Sequence, residues 1–193
     1  MPRTAKKPAA SREPPVLYTV GHSTHPIERF LELLTAQRIE LLADVRSFPS
    51  SRRWPQFNQD MLKQSVEDAG IDYRWLKALG GRRNIKRPDS PHTAWQHPAF
   101  RSYADYTDTP AFEEGLRELI LLALKTRTAI MCSEGLWWRC HRRIISDHMT
   151  VRGWAVRHIM PARKLADHAL AEFASVDAGR VIYDGGQHRL KLK

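Results

Sequence analysis

The chain has 193 residues, 42% hydrophobic and 27% charged, which suits one soluble globular domain with a real core and room for a short terminal appendage. Collagen-like and wholly disordered chains are excluded. The longest apolar run, residues 119–124, is far below the roughly 18 to 20 residues of a spanning helix, and no apolar signal core opens the chain, so the expected location is the cytoplasm. Lysine and arginine number 31 against 21 acidic residues, a net charge of +10. Part of that excess lies in residues 1–15, a Pro/Ala-rich stretch expected to be a disordered basic tail, leaving residues 16–193 as a single α/β domain.

In chain order, the β-rich run VLYTVG (residues 16–21) predicts a strand, and Pro26 opens the periodic stretch IERFLELL in the first turn of a helix. Residues 39–45 repeat the strand signature and run into a Pro/Ser loop. Asn58 is the expected cap of a helix through Ala69 that Gly70 ends. Residues 71–76 predict a third strand. Residues 80–98 lose periodicity and read as a long loop. A short helix over 98–106 precedes a stronger one to about Lys125, with Thr109 as cap and Pro110 at its first position. Residues 128–132 predict a buried strand, followed by a helix carrying Ile144, Ile145 and Met149, and by a strand over 154–159. An amphipathic helix over 161–174 and a small hairpin built on Val181, Ile182, Tyr183 and the turn 184–186 complete the reading. The alternation predicts an α/β class: a doubly wound, mainly parallel sheet of about five strands, flanking helices and a small C-terminal hairpin.

In such a sheet, ligands bind at the carboxyl ends of the strands. Polar residues collect there: Gly21, His22 and Ser23 after the first strand, Asp44 and Arg46 after the second, Gly80, Gly81 and Arg82 after the third, and Cys132, Ser133 and Glu134 after the fourth. The next helix begins near Arg139, Cys140, His141 and Arg142, its N-terminus facing the same edge. With only two cysteines no disulfide framework exists, so Cys132 and Cys140 read as core residues, ligands or reactive thiols.

The blocks YTVGHS, ADVRSFPSSRRWPQFN, GIDYRWLKALGGRR, YADY and MCSEGLWWRCHR resemble those of the domain of unknown function 488 family, small bacterial and archaeal proteins, over residues 18–159. The resemblance carries over to Gly21, His22, Ser23, Asp44, Arg46, Pro49, Phe57, Gly80, Gly81, Arg82, Tyr103, Cys132, Glu134, Cys140, His141 and Arg142. Ser133 and Trp137 depart from its usual alanine and proline. It implies no activity.

Three chemistries remain open. The favoured one is an enzyme acting on a small anionic substrate, phosphate-bearing or nucleotide-like. Cys132 is its nucleophile, flanked by Cys140, with His141 as acid/base and Glu134 or Asp44 as orienter. In that reading Arg46, Arg82 and Arg142 clamp the anion, and His22, Ser23, Gly80, Gly81 and Tyr103 complete the binding surface. The second is a nucleic-acid module using residues 82–87, Arg52, Arg53 and Trp54. The third is a metal site of Cys132, Cys140 and His141. Its spacing is not a standard ligand pattern, and adjacent residues at a helix start are expected to point along different faces, so no metal is assigned. Cofactor, substrate and oligomeric state are not legible, and no membrane partner is expected.

Overall fold

The computed structural model describes residues 13–186. The tail expected over residues 1–15 lies outside them except for its last three positions.

Strands and helices alternate through most of the chain. They are β1 (Val16–Gly21), α1 (Ile27–Ala36), β2 (Leu41–Asp44), α2 (Gln59–Asp68), β3 (Asp72–Trp75), α3 (Pro98–Thr107), α4 (Pro110–Ala123), β4 (Thr128–Cys132), α5 (Arg142–Val151) and β5 (Ala155–Ile159). Single 3-10 turns cover Pro55–Phe57, Lys77–Leu79 and Trp137–Arg139. Thr109 caps α4 as expected, its hydroxyl accepting the Phe112 N–H. Pro26 sits one place earlier than expected, at the cap of α1 with extended backbone. Asn58 stands at the cap of α2, but its side-chain oxygen accepts the Ser51 N–H at 2.6 Å, closing the loop instead of the helix end.

The sheet order is β3-β2-β4-β1-β5-β6, with every pair parallel except the last. Alternate residues of the central strands face opposite ways. Leu17, Ala43, Ile130 and Val156 pack against α4 and α5, while Tyr18, Val20, Leu42 and Met131 pack against α1 and α2. Helices therefore cover both faces, and five parallel strands deliver their carboxyl ends to one edge.

The C-terminal segment differs from expectation. Residues 161–174 form no helix: they contain β6 (Leu165–Asp167), antiparallel to β5, which makes the sheet six-stranded rather than five-stranded. The helical spacing of Leu165, Leu170 and Phe173 is overridden by tertiary bonds. The His168 N–H bonds the Val156 carbonyl at 2.9 Å, and its buried ring reaches Asp147 of α5. The hairpin is β7 (Ser175–Asp177) with β8 (Arg180–Ile182), turning at Ala178-Gly179, both at positive φ, rather than at residues 184–186. A two-residue turn with left-handed backbone matches the twist of its strands. Among the described residues, no helix is long and apolar enough to cross a membrane.

Candidate functional site

Above the carboxyl ends of β1, β2 and β4 lies a cleft of about 970 Å³, and a smaller one of about 450 Å³ adjoins it. Cys132, Glu134, His141 and Gly81 line both. Segments distant in the chain thus meet where the sheet topology places them.

The centre of the site is a group of three donors. Sγ of Cys132, Sγ of Cys140 and a ring nitrogen of His141 all lie within 4.8 Å of one another. His141 Nε2 bonds the Val45 carbonyl at 2.9 Å. A carbonyl can only accept, so Nε2 carries a proton, and Nδ1 faces Cys140 Sγ at 3.5 Å and Cys132 Sγ at 3.9 Å. The expectation that Cys140 and His141 diverge at a helix start fails for a local reason. Both residues precede α5, and Cys140 is extended (φ −131°, ψ 151°) while His141 has turned to αR. The tight turn after residues 137–139 swings both side chains toward Cys132.

Two glycines make this convergence possible. A β-carbon on Gly81 would stand 2.4 Å from His141 Nδ1, so the backbone lies flat against the imidazole only without one. A β-carbon on Gly21 would fall 2.1 Å from the Glu134 carbonyl oxygen, which crosses the end of β1 there. Tyr103 packs edge-on against the imidazole, the ring centroids 5.0 Å apart, with its hydroxyl donating to the Leu79 carbonyl.

Electrostatics separate the two thiols. Burial opposes ionisation of Cys140, but the Cys132 thiol and the Arg142 charge bring it down to about 6. Cys132 is pushed up to about 12 by its bond to Cys140 and by burial. Of the two, Cys140 is the thiol whose ionisation its surroundings favour and Cys132 the one whose ionisation they oppose.

Asp44, expected as an orienter, and Arg142, expected as an anion clamp, do not line the main cleft. Asp44 has no exposed surface. Its carboxylate takes Arg46 Nε at 2.9 Å and Nη2 at 2.6 Å, and the Tyr73 hydroxyl at 2.7 Å. Arg46, which lines the cleft, keeps its proton because the Asp44 bonds outweigh the cost of burial. Arg142 is 1% exposed. Its guanidinium is committed to Cys140 Sγ at 3.4 Å, to Thr19 Oγ1 at 3.5 Å and to the Glu134 carbonyl. A guanidinium held this way steadies the sulfur and the 133–139 loop instead of gripping a ligand.

The remaining expected residues lie around the cleft. His22 stacks on Phe57 at 4.1 Å and donates from Nδ1 to the Ser23 carbonyl, leaving Nε2 as an acceptor 3.5 Å from Arg46 Nη1. Burial, then the Arg46 charge, holds it neutral with a pKa of about 4. Ser23 lines the cleft with left-handed backbone, φ 48°. Gly80 packs on Ser47, whose hydroxyl accepts the Arg82 N–H at 2.7 Å. Glu134 is exposed between the clefts, with Oε1 accepting the Leu136 N–H.

Sequence reasoning missed a buried relay beneath the site. Thr19 Oγ1 meets His158 Nδ1 at 2.7 Å, His158 Nε2 meets His168 Nδ1 at 3.0 Å, and His168 Nε2 meets Asp147 Oδ1 at 2.9 Å. Trp137 stacks on His158 at 4.0 Å. The one sequence signal was an acidic residue, Asp147, set in the apolar stripe of Ile144, Ile145 and Met149.

No curated protein and no solved structure matches the chain. A family model described as Domain of unknown function DUF488 matches residues 26–149, a span that includes both cysteines, His141 and the ADVR and GGRR segments. With well over half its length so matched, the chain belongs to the DUF488 family.

Proposed function

We propose that the protein is a metal-dependent enzyme acting on a small anionic ester, with Cys132, Cys140 and His141 as the metal ligands. The observation that carries this reading is the convergence of two sulfurs and one imidazole nitrogen on a single point. Tetrahedral zinc, with Zn–S of about 2.3 Å and Zn–N of about 2.0–2.1 Å, sets nitrogen and sulfur about 3.5–3.6 Å apart. The two N–S separations of 3.5 and 3.9 Å are close to that edge length. The Val45 carbonyl supplies the outer bond that fixes the tautomer of a metal-binding histidine.

Three protein ligands leave a fourth position for water or substrate, and a divalent ion there supplies Lewis acidity toward an ester oxygen or a bound water. The chain's own groups do the rest. Arg82 and Arg46 bring positive charge to the cleft, Glu134 offers a carboxylate for proton transfer between the two clefts, and neutral His22 offers an acceptor nitrogen. Two thiolates neutralise a divalent ion, while Arg142 steadies the Cys140 sulfur.

The test is elemental analysis of protein purified without added metal, alongside phosphate release from a panel of phosphate esters. The expected result is about one divalent ion per chain, lost with activity in Cys140→Ala. Failure to retain zinc, iron or cobalt even after addition overturns the metal reading. Ester cleavage that survives chelation but not alkylation overturns it in favour of a thiol nucleophile.

A further inference from the structure

We infer that the anion taken by the main cleft is a nucleoside phosphate, whose base stacks on Phe48 at the mouth while its phosphate meets Arg82. This rests on the anionic-ester reading above and adds the substrate class.

Phe48 is 66% exposed, the most exposed large hydrophobic side chain among the described residues, and it lines the cleft. An aromatic ring so placed gains nothing from the core, and the chain on either side of it is tied down. The Ser50 N–H bonds the Phe48 carbonyl at 2.9 Å, the Gln59 N–H bonds the Pro49 carbonyl at 2.8 Å, and Trp75 Nε1 donates to the Arg46 carbonyl at 2.9 Å. A pinned backbone with a largely exposed ring is a preorganised stacking platform, which lowers the ordering cost of binding a flat ligand.

Beside it stands a cation without an acidic partner. The Arg82 guanidinium lies 6.0 Å from the Phe48 ring centroid and forms no ion pair among the described residues, while its backbone N–H is held by Ser47. Ser50, Ser51 and Trp54 continue the same wall. Among the described residues, Glu134 is the one acidic side chain lining this cleft. A flat apolar face, an unpaired guanidinium and hydroxyls along one wall match a base, a phosphate and a sugar, whereas a bare phosphate would leave the ring unused. Cys132 and His141 line the same cleft as Arg82.

The experiment is calorimetric titration of the full chain, as purified, with adenosine and uridine monophosphates, ribose 5-phosphate, inorganic phosphate and a short oligothymidylate. Metal content is measured on the same samples. Nucleotides should bind at least about fivefold more tightly than ribose 5-phosphate, the low end of a stacking contribution. Phe48→Ala should abolish that margin and Phe48→Trp restore it, whereas Arg82→Ala should weaken every phosphate probe alike. Tighter binding of the oligothymidylate than of either mononucleotide, with the same Phe48 dependence, assigns the nucleotide to a single strand and still supports the inference. Equal affinity for nucleotide and ribose 5-phosphate, or indifference to Phe48→Ala, overturns it even when the metal is present. Loss of the metal reading alone leaves the stacking margin intact, so the two failures are distinguishable.

Discussion

Acidification should destabilise the fold through two buried histidines that do not line the cleft. His148 and His158 are 3% and 1% exposed. Burial first, then neighbouring cations, lowers their pKa values to about 3 and about 2. The groups facing His148 are Arg152, His92 and Asp108, and those facing His158 are His168 and Arg142. In the unfolded chain both titrate near 6.5. Above that pH neither state binds the proton, and the full stability is present. Below it the unfolded chain takes up protons that the native state refuses, so stability falls by about 1.4 kcal/mol per pH unit for each histidine. At about pH 5 the loss is about 2 kcal/mol per group, or about 4 kcal/mol for the pair, a large part of the 5–15 kcal/mol typical of a domain. Urea unfolding followed by tryptophan fluorescence between about pH 8 and pH 5 measures the slope. His148→Leu isolates one proton: Nε2 of that ring has no hydrogen-bond partner and Nδ1 makes one 3.4 Å contact with Arg152 Nη1, so about one hydrogen bond is lost with it. The variant should lose stability less steeply by one proton's worth, a comparison that cancels acid effects elsewhere. Parallel slopes for wild type and variant would show that His148 is protonated in the native state, and the burial argument would be wrong.

Asp44→Asn should cost about 3–5 kcal/mol in urea unfolding, because it strands the buried Arg46 charge, while Tyr73→Phe, which removes one neutral donor from the same carboxylate, should cost about 1 kcal/mol. An Asp44→Asn loss no larger than that of Tyr73→Phe would mean that Arg46 finds another counter-charge. Gly81→Ala should lower metal content while leaving the far-UV circular dichroism unchanged, because the new methyl group meets a ring pinned between the Val45 carbonyl and Tyr103. Full metal content in that variant would place the ion elsewhere.

The central strands β1 and β4 were legible because each carries an unbroken apolar, β-branched or aromatic run. TAIMC coincides with β4 to the residue. The edge of the sheet that gathers the polar groups was legible too, since it follows from strand order and direction alone. What could not be read was which way a charged side chain turns. Asp44 and Arg142 share the site's segments with Arg46 and Glu134, yet the first two are enclosed while Glu134 faces solvent. That difference is decided by tertiary partners, Tyr73 for Asp44 and Thr19 and the Glu134 carbonyl for Arg142, not by local pattern. The segment over residues 161–174 was misread for the same reason: its apolar spacing suits a helix, but the bonds of His168 to Val156 and Asp147 are long-range and have no periodic signature.

The placement of β1 at the heart of the sheet bears on how the protein is made. Its partners are β4 and β5, with Tyr18 opposite Ala129 and Val16 opposite Ala155. A nascent chain leaving the ribosome at about 5–20 residues per second carries this apolar strand for roughly ten seconds before either neighbour is synthesised. The segment from β2 through α2 to β3 has no such delay, since Leu41 pairs with Asp72. Co-translational folding should therefore begin in the second and third strands and close around the first one last, making that strand the natural target of a chaperone during synthesis.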